Sequence, residues 1–124
     1  MPYRITYEYR SGYLYVLMEG QESFDAAVQF WERLAKKSEE EHIRYFLIID
    51  KVSGGLDTLQ IFDVSELVAK LFHGKVIAYV DPKEKTFKDN QFGETVVRNR
   101  GGDAKVFHSE MEADQWLMTR MHPQ

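Results

Sequence analysis

Two short apolar runs constrain the fold of this chain more than any other feature: Tyr45-Phe46-Leu47-Ile48-Ile49 and, behind Lys75, Val76-Ile77-Ala78-Tyr79-Val80. Neither alternates between apolar and polar residues. Each therefore predicts a strand covered on both faces, the situation of a strand inside a parallel sheet. Parallel neighbours need a crossover, and stretches with helical spacing lie between and around the two runs.

The N-terminus follows a different rule. Tyr3, Ile5, Tyr7 and Tyr9 alternate with Arg4, Thr6 and Glu8, the period of a strand with one buried face. Ser11-Gly12 then turns the chain into the nearly continuous apolar run Tyr13 to Met18, so the two runs predict an antiparallel hairpin whose second strand lies deeper in the sheet. The five tyrosines Tyr3, Tyr7, Tyr9, Tyr13 and Tyr15 are read as hairpin packing.

Helices follow from spacing and caps. Ser23 precedes Phe24, Ala27, Val28, Trp31, Leu34 and Ala35, which predicts a helix that frays through Lys37 to Glu41. Asp57 with Gln60 and Asp63 with Glu66 both have capping-box spacing; a helix is expected from about Asp63, with an earlier turn from Asp57 and an end at Gly74. A third helix is expected from about Asp89 to Arg100, with Gly101 in a left-handed position. Ala104 to Phe107 forms a last strand, and Ser109 opens a helix that buries Ala113, Trp116, Leu117 and Met121. The order is ββαβαβαβα. It predicts one α/β domain over residues 1–124, a mixed five-stranded sheet with an antiparallel N-terminal edge strand and about four helices.

Composition removes several classes of function. The chain has no cysteine, which excludes disulfides, thiolate metal sites and a cysteine nucleophile. Its net charge is -4, and acids interrupt its densest basic stretch, Lys83 to Lys105, so it is not read as a nucleic-acid binder. No apolar run approaches the roughly 20 residues that span a bilayer, and the N-terminus alternates instead of forming an apolar leader. The expectation is a cytoplasmic protein.

In an open α/β sheet, sites gather beyond the carboxyl ends of the parallel strands. That rim receives Glu19-Gly20, Asp50 through Thr58, Asp81, and His108-Ser109. Ser53-Gly54-Gly55 lacks the Lys and hydroxyl of a phosphate loop and the spaced glycines of a dinucleotide fingerprint; it is read as a turn with positive φ that follows a strand ending at Asp50. Asp50 with Asp81 has the oxygen chemistry of a Mg²⁺ site, but acids at strand ends also cap and turn, and no metal or other cofactor is expected. No Gly-x-Ser-x-Gly elbow surrounds either serine, and His42, His73 and His122 stand singly. No catalytic residue is assigned, and the chain is not read as an enzyme. Ser53 and Thr58 lie near a helix start, where a phosphoryl group meets the favourable end of the dipole.

Val96-Val97-Arg98-Asn99-Arg100-Gly101, then Val106-Phe107, then Glu112-Ala113-Asp114-Gln115-Trp116-Leu117 are similar to the arginine-glycine, valine-phenylalanine and closing alanine-tryptophan-leucine pattern of SpoIIAA-like proteins. Lys75 to Val80 is in keeping with it. The chain resembles a STAS-type domain of this bacterial anti-anti-sigma group over nearly its whole length. The resemblance implies a regulatory, protein-binding domain that uses the rim Asp50, Gly54, Gly55 and Asp81 and pairs with an unidentified protein or a second copy of itself. It places Asp57 and Thr58 at the acid and phosphoacceptor of an Asp-Ser-Ser-Gly switch, with Leu59 and Gln60 departing from the motif. A divergent SpoIIAA-like branch resembles the Sec14 lipid-carrier fold. For that branch Leu59, Ile61, Phe62, Leu71 and Phe72 imply contact with an apolar small molecule or a membrane surface.

Overall fold

The computed structural model describes residues 3–123. Its elements run in chain order as β1 (Arg4–Arg10), β2 (Tyr13–Gln21), α1 (Phe24–Glu41), β3 (Tyr45–Ser53), α2 (Thr58–Leu71), β4 (Val76–Val80), α3 (Glu84–Asn99), β5 (Asp103–Phe107) and α4 (Glu110–Met121). The strands lie side by side in sequence order. β1 is antiparallel to β2 and forms one edge, and β2 through β5 are mutually parallel. This is the expected mixed α/β sheet.

The direction of travel decides where the helices go. From β2 to β5 the chain steps the same way across the sheet three times, and right-handed crossovers then place α1, α2 and α3 on one face. Trp31, Leu34, Val64, Val68 and Val97 from these helices join Leu14, Val16, Phe46, Ile48 and Ile77 of the sheet in one apolar core. α4 has no strand to return to and folds onto the other face, where Ala113 and Leu117 pack with Leu47, Ile49, Ala78 and Val80.

Several boundaries differ from those expected. α1 does not fray: Lys37 pairs with Glu41 at 2.8 Å and lies over the Tyr7 and Tyr9 rings, while the Ser38 hydroxyl donates to the Ile43 carbonyl at 2.7 Å. The helix ends at His42 in the left-handed region, φ 56°. α2 begins at Thr58 and not near Asp63, because Asp57 and Gln60 close a complete capping box. α3 begins at Glu84, five residues before the expected start near Asp89; its N-cap, Lys83, makes no side-chain cap bond and so leaves no sequence signal. Trp116 and Met121 are only half-buried, and Ala113 and Leu117 anchor α4. β2 continues to Gln21 and β3 to Ser53, so Asp50 lies inside a strand and not at its end.

Gly93 has a specific packing role. A Cβ there would lie 2.9 Å from the Ser65 hydroxyl, so glycine permits the close approach of α3 to α2. Among the described residues no helix is long and apolar enough to cross a membrane.

Candidate functional site

Alternation along β3 and β4 puts Asp50 on the same face as Ile48 and Val52, and Asp81 on the same face as Ile77 and Tyr79. Both carboxylates thus face the side covered by three helices, and both are buried. Lys83 joins them. Its ammonium donates to Asp50 O at 2.8 Å and to Asp50 Oδ1 at 3.1 Å, and sits 3.0 Å from Asp81 Oδ1. Asp50 also accepts from Val52 N at 3.0 Å and from the Tyr79 hydroxyl at 2.7 Å. Asp81 accepts from Lys83 N at 2.9 Å, Thr86 Oγ1 at 2.6 Å and Asn90 Nδ2 at 2.7 Å.

Two buried acids are tolerable because their acceptor sites are filled and a cation lies between them. Burial acts to lower the Lys83 pKa, but the charge and hydrogen bonds of Asp50 and Asp81 outweigh it and hold the ammonium above its ordinary value. Burial, reinforced by Asp50, pushes the Tyr79 phenol well above its usual range. The Lys83 ammonium stands where a metal ion shared by Asp50 and Asp81 would have to stand.

A third acid lies beside this cluster. Glu22 follows β2, which Glu22 N fixes to the end of β3 by donating to Ser53 O at 2.8 Å. Glu22 Oε1 accepts from the Tyr3 hydroxyl and, at 3.0 Å, from Ser23 N. Burial raises the Glu22 pKa despite both bonds.

Below these groups the helices do not close fully on the sheet. A cavity of about 100 Å³ is lined by Trp31, Ile61, Val64, Val68, Ile77 and Val97, with Tyr3, Glu22, Tyr79, Asn90 and Glu94 as its polar wall. A smaller space of about 40 Å³ shares Glu22, Leu56, Ile61 and Asn90 with it, and adds Asp50, Gly54, Gly55 and Thr86. The two spaces share these wall residues, the smaller one lying against the β3–α2 loop and the larger one beneath α2. A wider depression of about 390 Å³ lies at the other end of the sheet, between the hairpin turn and His42–Tyr45.

The expected site residues are divided by this geometry. Asp50, Gly54 and Gly55 line the mouth, while Asp81 is fully buried and acts behind it through Thr86 and Asn90. Only Gly54 of the glycine pair has positive φ, at 84°; Gly55 does not. Ser53 is the exposed last residue of β3. Asp57 is the N-cap of α2: its Oδ1 accepts from Gln60 N at 2.8 Å, and Thr58 is exposed beside it. Leu59 is 70% exposed, Phe62 is half-buried with the Arg100 guanidinium over its ring, and Ile61 forms a cavity wall. Leu71 is half-buried, but Phe72 cannot be a surface contact. It is 3% exposed, with its ring edge-on to Trp31 and Phe46.

Glu22, Lys83, Tyr79, Tyr3, Thr86 and Asn90 were not singled out as site residues from the sequence. One signal was available. An Asp followed by Pro-Lys suits a turn closed by the Asp carboxylate, and Thr86 and Asn90, four apart, share a helix face that can return to it. His108 at the rim instead stacks on Phe87, with ring centroids 3.6 Å apart. No protein-family model matches this chain, and no curated protein matches it. Fold and site together define a mixed α/β domain with an acid-mouthed apolar cavity between its sheet and helices.

Proposed function

We propose that this protein is a non-enzymatic, STAS-like binding domain that takes a small, mostly apolar molecule beneath α2. The carrying observation is the cavity walled by Ile61, Val64 and Val68 of α2 over Trp31 and Ile77, opening past Glu22 to the rim. Binding sites of this kind combine apolar walls with a few convergent polar groups at one end. The acids themselves support binding better than chemistry, because Asp50, Asp81 and Lys83 are committed to one another.

Methyl NMR during titration with 1-pentanol tests the reading. Saturable shifts at Ile61, Val64, Val68 and Ile77 are expected, and Val68→Phe, which fills the space, is expected to abolish them. Absence of saturable shifts in the folded protein with 1-pentanol and with its amine and carboxylate analogues would remove the proposal.

A second reading is favoured by the surface of the same helix. Leu59 is 70% exposed next to exposed Thr58 and the Asp57 cap, so α2 presents an apolar group and a hydroxyl at its positive end. We propose this end as the contact for a protein partner, with α2 linking it to the cavity. A partner retained equally by the wild type, Leu59→Lys and Thr58→Glu would count against it.

A further inference from the structure

The cavity reading above leaves open what the bound molecule carries at its polar end. The side chains at the mouth point to an answer. Glu22 and Asn90 border both spaces, Asp50 borders the outer one and Glu94 the inner one. No Lys, Arg or His lines either space among the described residues. The cation behind them, Lys83, is spent on Asp50 and Asp81. Two carboxylates against one ammonium leave that cluster one negative charge, and Glu22 adds a second. Glu22 is also incompletely bonded: Tyr3 and Ser23 both donate to Oε1, and Oε2, which is open to solvent, accepts from no group among the described residues.

We propose that the cavity, on the reading above, takes a short primary amine, with its hydrocarbon chain under α2 and its ammonium against Glu22 Oε2 at the junction of the two spaces. Burial raises the Glu22 pKa and Asp50 adds to it, opposed only in part by Lys83, which makes no ion pair with Glu22; an ammonium against Oε2 would supply a closer counter-charge. A carboxylate head would meet Glu22, Asp50 and Glu94 there, and the hydroxyls of Tyr3, Tyr79 and Thr86 already donate to acids. The length is set by volume. An apolar cavity of about 150 Å³ holds benzene, so a space of about 100 Å³ suits roughly four or five carbons. A lysine side chain from a partner would arrive ammonium first and bury its charge among Val64, Val68 and Ile77, so a free amine fits where a lysine does not.

The test uses three probes with one carbon skeleton: n-pentylamine, 1-pentanol and pentanoate, titrated at neutral pH and read by calorimetry and methyl NMR. The amine is expected to bind at least about tenfold tighter than the alcohol, with pentanoate weakest. Glu22→Gln should bring the amine to the level of the alcohol measured on the same variant. In the wild type alone, the preference should shrink as salt is raised. An alcohol that binds as tightly as the amine, or a preference that survives both Glu22→Gln and high salt, overturns this inference and leaves the cavity reading standing. Failure of all three probes overturns both.

Discussion

On one face of the sheet α4 alone sets Ala113 and Leu117, both with no exposure, onto Leu47, Ile49, Ala78 and Val80. On the other, three helices cover the strands and still leave a cavity of about 100 Å³, and all three acids of the site, Glu22, Asp50 and Asp81, gather at that end. The difference lies in side-chain shape. Small alanines let α4 settle against the strands. Above the cavity, rigid rings hold α2 at its far end, with Trp31 edge-on to Phe72 at 5.5 Å and stacked with Tyr79 at 6.1 Å. Val64 and Val68 join the core between them but are short enough to leave a space beside them. One face maximises packing, and the other gives up part of it to a space and a buried charge network.

The contrast can be broken first at the network. Asp81→Ala takes the acceptor from Lys83 N, Thr86 Oγ1 and Asn90 Nδ2 at once, while the Lys83 ammonium keeps Asp50, and should destabilise by about 3–5 kcal/mol. Chemical denaturation checks it, and a loss of under about 1 kcal/mol would mean that the network is solvated after all. On the tight face, Leu117→Ala should cost about 3 kcal/mol through the void it leaves.

Adding volume separates the faces more cleanly than removing it. Ala113→Val has no room and should cost about 1–3 kcal/mol by overpacking. Val68→Ile, which adds one methylene into the cavity wall, should lie within about 0.5 kcal/mol of wild type or stabilise slightly. Equal costs for the two substitutions in parallel melts would show that the cavity closes in solution.

The smallest effect is one of pH. Burial raises the folded pKa of Glu22 above 4.5, so in that window the folded chain keeps a proton that the unfolded chain has released. Stability should therefore fall as pH rises from 4.5 through the folded pKa, and Glu22→Gln should remove that part of the slope. Tyr79 acts with the same sign at higher pH: its phenol stays protonated in the fold above pH 10, so stability is lost as pH rises beyond that value. A denaturation midpoint with the same pH slope in wild type and Glu22→Gln would contradict the buried placement of Glu22.

Much of the fold was legible because it is written locally. Alternation in Tyr3 to Tyr9, unbroken apolar runs at 45–49 and 76–80, and the caps Ser23, Asp57 and Ser109 all act within a few residues of where they appear. The errors fall where a distant contact replaces a local signal. The last turn of α1 is held by Tyr7, Tyr9 and Ile43. The start of α3 has no cap of its own and is tied instead to Asp81, which draws in Lys83 N, Thr86 and Asn90. The candidate site was half legible for the same reason. Asp50 and Asp81 stood out as acids beside apolar strands, whereas Glu22 and Lys83 looked like ordinary loop charges.

The sequence by itself determined the element order and the parallel arrangement, because periodicity and caps are properties of neighbouring residues, but not the buried face expected of β1, where Tyr7 is 37% and Tyr9 64% exposed. Only the tertiary structure decided which charges became a site. Asp50 lies within β3, Glu22 follows β2, and Asp81 and Lys83 follow β4; they meet because the parallel register sets these three neighbouring segments side by side. It also decided that α2 roofs a space. How closely Val64 and Val68 fill the space under the helix depends on where Trp31, Phe72 and Tyr79 seat it, and that is set by packing across the fold.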